Sequence, residues 1–180
     1  MTIARTGVLF VCLGNICRSP LAEAVFVHLA RQRGLLDAFD IDSAGLGDWH
    51  VGDRADPRTI EIGRRHGVDV FSIARQVNAK RDFPRFTWLI AMDRSHIRGL
   101  VRLGADPAQI RLMMAFSPTV QLQTPIPGRH DVPIDAHDIP DVPDPYQGAF
   151  REFEQVYDML VPACQGLLDW LIDQPRSTTP

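Results

Sequence analysis

The sequence predicts an α/β fold in three layers, a four-stranded parallel sheet with helices on both faces. Three observations carry this. Short apolar runs at 8–11, 39–44, 86–92 and 110–114 read as strands. Stretches with helical apolar spacing separate them, and alternation of strand with helix is the pattern of parallel strands joined by crossover helices. The first run, Val8-Leu9-Phe10-Val11, is apolar without alternation, which suits a central strand buried on both faces.

Taken in order, the first helix runs from Ser19 to Arg33, with Leu21, Ala22, Val25, Phe26, Leu29 and Ala30 as its stripe and Gly34 as its stop. Ser19 is a good N-cap and Pro20 suits the first helical position. Phe39 to Ala44 alternates as a second strand, and the glycine-rich stretch 45–55, with Trp49 and His50 at its centre, is a surface loop. Asp56 caps a helix that begins at Pro57 and runs to about His66, with Gly67 ending it. Residues 68–78 form a short extended piece, and a short helix spans 78–83. Strand 86–92 follows, then a helix from Arg94 to Leu103 capped by Asp93, and strand 110–114. A proline-rich region, 116–145, precedes a last helix, 146–172, whose apolar face includes Phe153, Leu160, Cys164 and Leu168 and which Pro162 should kink. Residues 1–173 read as one domain, and 174–180 as a disordered tail.

A length of 180 residues suits one domain with a substantial core, and 45% hydrophobic with 23% charged residues is ordinary for a globular protein. The net charge of -3 offers no basic excess for a nucleic-acid partner. No stretch approaches the roughly 20 apolar residues of a membrane span. The N-terminal apolar run leads directly into a reactive loop, so it does not read as a cleaved signal. Three cysteines, Cys12, Cys17 and Cys164, make no disulfide framework, and a free thiolate fits a reducing cytoplasm.

The chemistry begins where the first strand ends, at Cys12-Leu13-Gly14-Asn15-Ile16-Cys17-Arg18-Ser19-Pro20. Gly14 and Asn15 accept positive φ most readily, so the loop can curl there. Backbone N–H groups of such a loop, at the positive end of a helix dipole, form an anion-binding nest. Cys12 in that setting is favoured as a thiolate nucleophile, and Arg18 presents a rigid fork that matches two oxygens of a phosphoryl group. A free cysteine at a strand end is more often a small buried hydrophobe. Here Gly14, Asn15, Arg18 and Ser19 stand in register around it, which favours the reactive reading.

Residues 8–26 resemble the signature of the low-molecular-weight protein tyrosine phosphatase family, and Asp144-Pro145-Tyr146 resembles its general-acid loop. The similarity runs from about Gly7 to about Leu171. It implies a sheet order of 2-1-3-4 and hydrolysis of phosphotyrosine and other aryl phosphates through a cysteinyl-phosphate, without metal or other cofactor. Cys12 would be the nucleophile, with Arg18 and the amides of Leu13, Gly14, Asn15, Ile16 and Cys17 holding the phosphoryl oxygens. Asp144 would protonate the leaving phenolate, with Pro145 stiffening its placement. Ser19 would donate to the Cys12 sulfur, and Asn15 would hold the left-handed turn, with Ser43 as a further partner. The partner implied is a phosphotyrosine protein, a tyrosine kinase or its substrate, with inorganic phosphate as product.

Trp49 and Tyr146 are candidates for the walls of a cleft that takes a flat ring. Two positions depart from the family pattern: Gln147 replaces a second aromatic, and Ser72 stands where relatives often have a histidine. Ile16 favours a phenyl ring, since relatives acting on phosphoarginine resemble one another in a smaller threonine there. Cys17 is a candidate either for a reversible disulfide with Cys12 under peroxide or for a buried loop residue, since spacing does not decide disulfide geometry. His130, His137, Asp131, Asp135 and Asp138 match no known metal-ligand spacing. An arsenate reductase would need relay cysteines near 75–95, and this chain has none there. A non-catalytic phosphate-binding or phosphoprotein-docking module would need neither Cys12 nor Asp144.

Overall fold

The computed structural model describes residues 5–120 and 138–174. Four parallel strands, β1 (Thr6–Cys12), β2 (Phe39–Gly45), β3 (Trp88–Ala91) and β4 (Ile110–Leu112), lie in the order β2-β1-β3-β4. Val11 pairs with both Ala44 and Ala91, and Cys12 pairs with Gly45 at the carboxyl edge. Val8 to Val11 are fully buried, as the unalternating run foretold. Helix α1 (Arg18–Gln32) packs on β1 and β2 and against α5 (Phe150–Asp173), with α2 (Pro57–Arg65) alongside. Helix α4 (Arg94–Arg102) packs on β3 and β4, and α3 (Ala79–Arg85) precedes β3. This is the predicted three-layer arrangement.

The caps at Asp56 and Asp93 form as expected, each side chain accepting from a first-turn N–H. Ser19 does not cap α1. The helix starts at Arg18 with Cys17 in the cap position and no side-chain cap bond. Ser19 lies inside the first turn, and its hydroxyl bonds Cys12 and Asn15 instead. The fourth strand is shorter than the sequence suggests. Pairing ends at Ala91 with Leu112, and the buried residues Met113–Phe116 coil into a 3-10 turn packed against α5. Beyond β3, the Met92 carbonyl accepts from Val142 N–H at 2.9 Å, so the chain leading to Asp144 occupies that place.

The extended stretch 68–78 forms no named strand, and isolated bridges tie Gln76 to Gly45 and Ile73 to Arg54. Helix α5 begins at Phe150 rather than 146 because Pro145 to Gly148 close a turn, with Gly148 N–H donating to the Pro145 carbonyl at 2.8 Å. It runs unbroken through Pro162. Cys164 is fully buried in the core, where burial pushes its thiol up. Most of the proline-rich region, including His130 and His137, and the tail from 175 onward lie outside the described residues. Among the described residues no helix is long and apolar enough to cross a membrane.

Candidate active site

The loop after β1 is shaped from outside. The carbonyls of Cys12, Leu13 and Ile16 accept from the N–H groups of Leu46 (3.0 Å), Gly47 (2.9 Å) and Asp56 (2.8 Å). In a trans peptide the next residue's N–H points opposite to the carbonyl. The amides of Leu13, Gly14 and Cys17 are therefore turned toward the inner side of the loop, where an anion would sit. Behind the loop, a Cβ on Gly45 would stand 2.7 Å from the Leu13 carbonyl oxygen, so only glycine lets β2 back the cradle this closely.

Of the two residues expected to carry positive φ, Asn15 alone does, at 57°. Its side chain makes three bonds, two of them buried, that hold this conformation. Nδ2 donates to Ser19 Oγ (2.8 Å) and Ser43 Oγ (2.9 Å), while Oδ1 accepts from Arg75 N–H (2.9 Å). Gly14 has another reason to be glycine, because a Cβ there would press the His50 ring at 3.1 Å.

Asn15 also sets the direction of the hydroxyls, because each serine that accepts from Nδ2 keeps its own proton to give. Ser19 Oγ lies 3.0 Å from Cys12 Sγ and so donates to it, and Asn15 N–H reaches the same sulfur at 3.3 Å. Both are donors aimed at the sulfur. Ser43 donates in turn to Glu23 Oε2 at 2.5 Å. Burial pushes the Glu23 carboxyl up to about 6, against the opposing bonds from Ser43 and Ser72. Cys17, five residues after Cys12, behaves oppositely to a reactive thiol. Burial first, then Asp56, Cys12 and Asp144, push it up to about 12.

Arg18 is almost wholly buried and joins three parts of the chain. Nη1 donates to Asp93 Oδ2 (2.8 Å) and to the Val142 carbonyl (3.2 Å), and Nη2 donates to Asp144 Oδ2 (2.8 Å). These partners take three of its five N–H donors. His96 caps Asp93 from behind, with Nδ1 accepting from Asp93 N–H at 3.2 Å. Burial lowers His96 to about 4, so the ring is neutral near pH 7 and this contact is a hydrogen bond rather than an ion pair.

Cys12, Leu13, Gly14, Ile16, Cys17, Arg18, Trp49, Asp144 and Tyr146, all expected at the site, line one cavity of about 280 Å³ together with His50. Asn15 and Ser19 stand behind the loop as supports. Trp49 lies on the rim, 69% exposed, with its ring folded over Gly47. His50 and Tyr146 meet edge to face, with centroids 6.0 Å apart.

Residues 7–176 match the family model of the low molecular weight phosphotyrosine protein phosphatases. This chain belongs to that family. It is 40% identical over 164 residues to low molecular weight protein-tyrosine phosphatase A of Mycobacterium tuberculosis, spanning 91% of this chain and 90% of the relative. A protein tyrosine phosphatase from Entamoeba histolytica superposes with a TM-score of 0.79 at 34% identity, over 93% of this chain and 97% of that one. A Drosophila arginine phosphatase superposes at 0.75 with 28% identity, over 93% and 99%. As a member of this family the protein is a hydrolase, a protein-tyrosine phosphatase.

Four residues of the phosphatase site were not assigned to it from sequence. Asp93 read only as a helix cap, yet it also orients Arg18. Glu23, four residues after Ser19, was not singled out, although that spacing puts both on one face. His50 read as part of a surface loop. Arg58, whose guanidinium donates to the carbonyls of the cavity residue Tyr146 and of Gly148, carried no signal at all.

Proposed function

We propose that this phosphatase hydrolyses phosphotyrosine in proteins, and aryl phosphate monoesters generally, in two displacements at phosphorus. The Cys12 thiolate attacks in line, the P–S bond forms and the P–O bond breaks, and the phenol oxygen takes a proton from Asp144. Water then attacks the cysteinyl-phosphate as the Asp144 carboxylate takes its proton, the P–S bond breaks, and inorganic phosphate leaves. Arg18 and the inward amides stabilise the equatorial oxygens in both steps. Ser19 lowers the energy of the sulfur both as attacking thiolate and as leaving group.

The observation that carries this reading is the 2.8 Å pair between Arg18 Nη2 and Asp144 Oδ2. It sets an acid at the mouth of a cradle whose floor is a cysteine, although the two come from opposite ends of the chain. An arriving phosphoryl dianion competes with Asp144 for that guanidinium. Released from the guanidinium, the carboxyl is free to face the leaving oxygen, as the first step needs. Ile16 on the cavity wall and the Trp49 and Tyr146 rings suit a planar phenyl ester, which supports phosphotyrosine over phosphoarginine. The partner is then a phosphotyrosine protein, a tyrosine kinase or its substrate. Residues 1–173 act as a single phosphatase domain, and the free nucleophile suits a cytoplasmic setting.

Steady-state hydrolysis of a phosphotyrosine peptide, with chelator present, tests the reading. Wild type turns over undiminished by chelator, and Cys12→Ser does not turn over. Faster turnover of phosphoarginine than of phosphotyrosine would displace the proposed substrate.

A further inference from the structure

The segment that carries Asp144 has no regular secondary structure from 138 to 149, and Arg18 is one of its anchors. A second anchor comes from α2. Arg58 Nη1 donates to the Gly148 carbonyl at 2.8 Å, and Nη2 donates to the Tyr146 carbonyl at 3.0 Å. The same guanidinium is gripped by Asp56, through Nε to Oδ1 (2.9 Å) and Nη2 to Oδ2 (2.7 Å). Its face rests on the Phe153 ring, 4.3 Å from the centroid. Asp56 in turn is tied to the cradle, because its N–H donates to the Ile16 carbonyl at 2.8 Å.

We propose that Arg58 is a positioning residue for the general acid, a strut running from the phosphate cradle through Asp56 to the turn that carries Asp144 and Tyr146. The inference rests on the assignment of Asp144 as the acid. Tyr146 connects the strut to the carboxyl group: its N–H donates to Asp144 Oδ1 at 3.1 Å while its carbonyl is held by Arg58. Gly148 N–H closes the same turn onto the Pro145 carbonyl, so the turn moves as a unit. Arginine suits this place because one planar fork meets two carbonyls and a carboxylate at once. A lysine ammonium is a point charge that cannot span them.

A role confined to stability would lower every rate in proportion to the protein lost. A displaced acid instead penalises poor leaving groups, while a leaving group stable as its anion needs little proton transfer. The test is the dependence of kcat/KM, which reports the step that expels the phenol, on leaving-group acidity across a series of aryl phosphates, for wild type, Arg58→Lys, Arg58→Ala and Asp144→Asn. The slope does not depend on how much of a preparation is folded, and Arg58→Lys keeps the charge beside Asp56. Both Arg58 variants are expected to lose about tenfold more rate on phenyl phosphate than on p-nitrophenyl phosphate. A steeper slope in Asp144→Asn but an unchanged one in both Arg58 variants overturns the role of Arg58 alone. An unchanged slope in Asp144→Asn overturns the assignment of the acid, and this inference with it.

Discussion

The loop that carries Cys12 and the segment that carries Asp144 meet at Arg18 but are anchored by different means. Around Cys12 the supports are Asn15, Ser19, Ser43 and Glu23, each at most 4% exposed, and strands and helices on either side fix their backbones. Around Asp144 the supports are arginine side chains: the buried Arg18 to Asp144, and the more exposed Arg58 to Tyr146 and Gly148 and Arg94 to Asp141. The Asp144 side chain itself is 47% exposed. The proposed nucleophile and its loop are thus part of the folded core, whereas the proposed acid is an attachment to it. Damage to the cradle should reach every substrate and the fold. Damage to the acid segment should reach bond cleavage and leave the fold intact.

The largest effect that can break this comparison is in Asp144→Asn. It should lower kcat on phenyl phosphate by about 10²–10⁴-fold. Its urea denaturation should move by no more than about 1 kcal/mol, since the ion pair it loses has a half-exposed partner. A large loss of stability would place the acid segment in the core after all. Asn15→Ala should show the reverse pattern. It removes the donor that Ser19 and Ser43 accept from, although each keeps the partner it donates to, leaves the Arg75 amide without its acceptor, and puts alanine with no compensating bonds at φ 57°. A loss of about 2–4 kcal/mol is expected from urea denaturation, with similar rate losses on good and poor leaving groups. Loss on poor leaving groups alone would count against the division.

A smaller effect sharpens the picture of the cradle's buried end. Glu23 is raised from 4.5 to about 6, with burial as the main cause. The folded state therefore holds a proton that the unfolded chain has given up between these values. The stability this confers is fully present below pH 4.5 and lost as pH rises through about 6, and the shift corresponds to about 2 kcal/mol. His96 acts with opposite sign in an overlapping window. Its folded value is depressed to about 4, so stability is lost as pH falls from about 6.5. Wild type alone would show the two nearly cancelling. The difference between wild type and Glu23→Gln isolates the acid and should shift by about 2 kcal/mol in favour of the variant between pH 4.5 and pH 7. Denaturation curves measured at both pH values check this, and a constant difference would mean that Glu23 titrates normally.

The same division explains what could be read from the amino-acid order. Cys12 to Ser19 is contiguous, so its loop, its fork and its helix start are visible together, and the burial of Val8 to Val11 follows from composition. Asp144 was visible only because Pro145 and Tyr146 follow it in a pattern resembling a known loop. Nothing local tells it from Asp138 or Asp141. Ser19 shows the limit of helix-start chemistry: a serine at that corner suits a cap, but Cys12 and Asn15 take its hydroxyl. Arg58 was silent because its partners are backbone carbonyls 88 and 90 residues away, and backbone carbonyls leave no trace in side-chain identity.

The account stands most directly on where phosphorus becomes covalently bound. Asp144→Asn should still form the phosphoenzyme from p-nitrophenyl phosphate, whose leaving group needs little proton, and should hydrolyse it slowly without its base. Acid quenching during turnover, followed by peptide mass spectrometry, should find one phosphoryl group on the peptide containing Cys12 and none in the Cys12→Ser, Asp144→Asn double variant. A phosphoryl group on another residue, or turnover that survives in Cys12→Ser, would contradict the account.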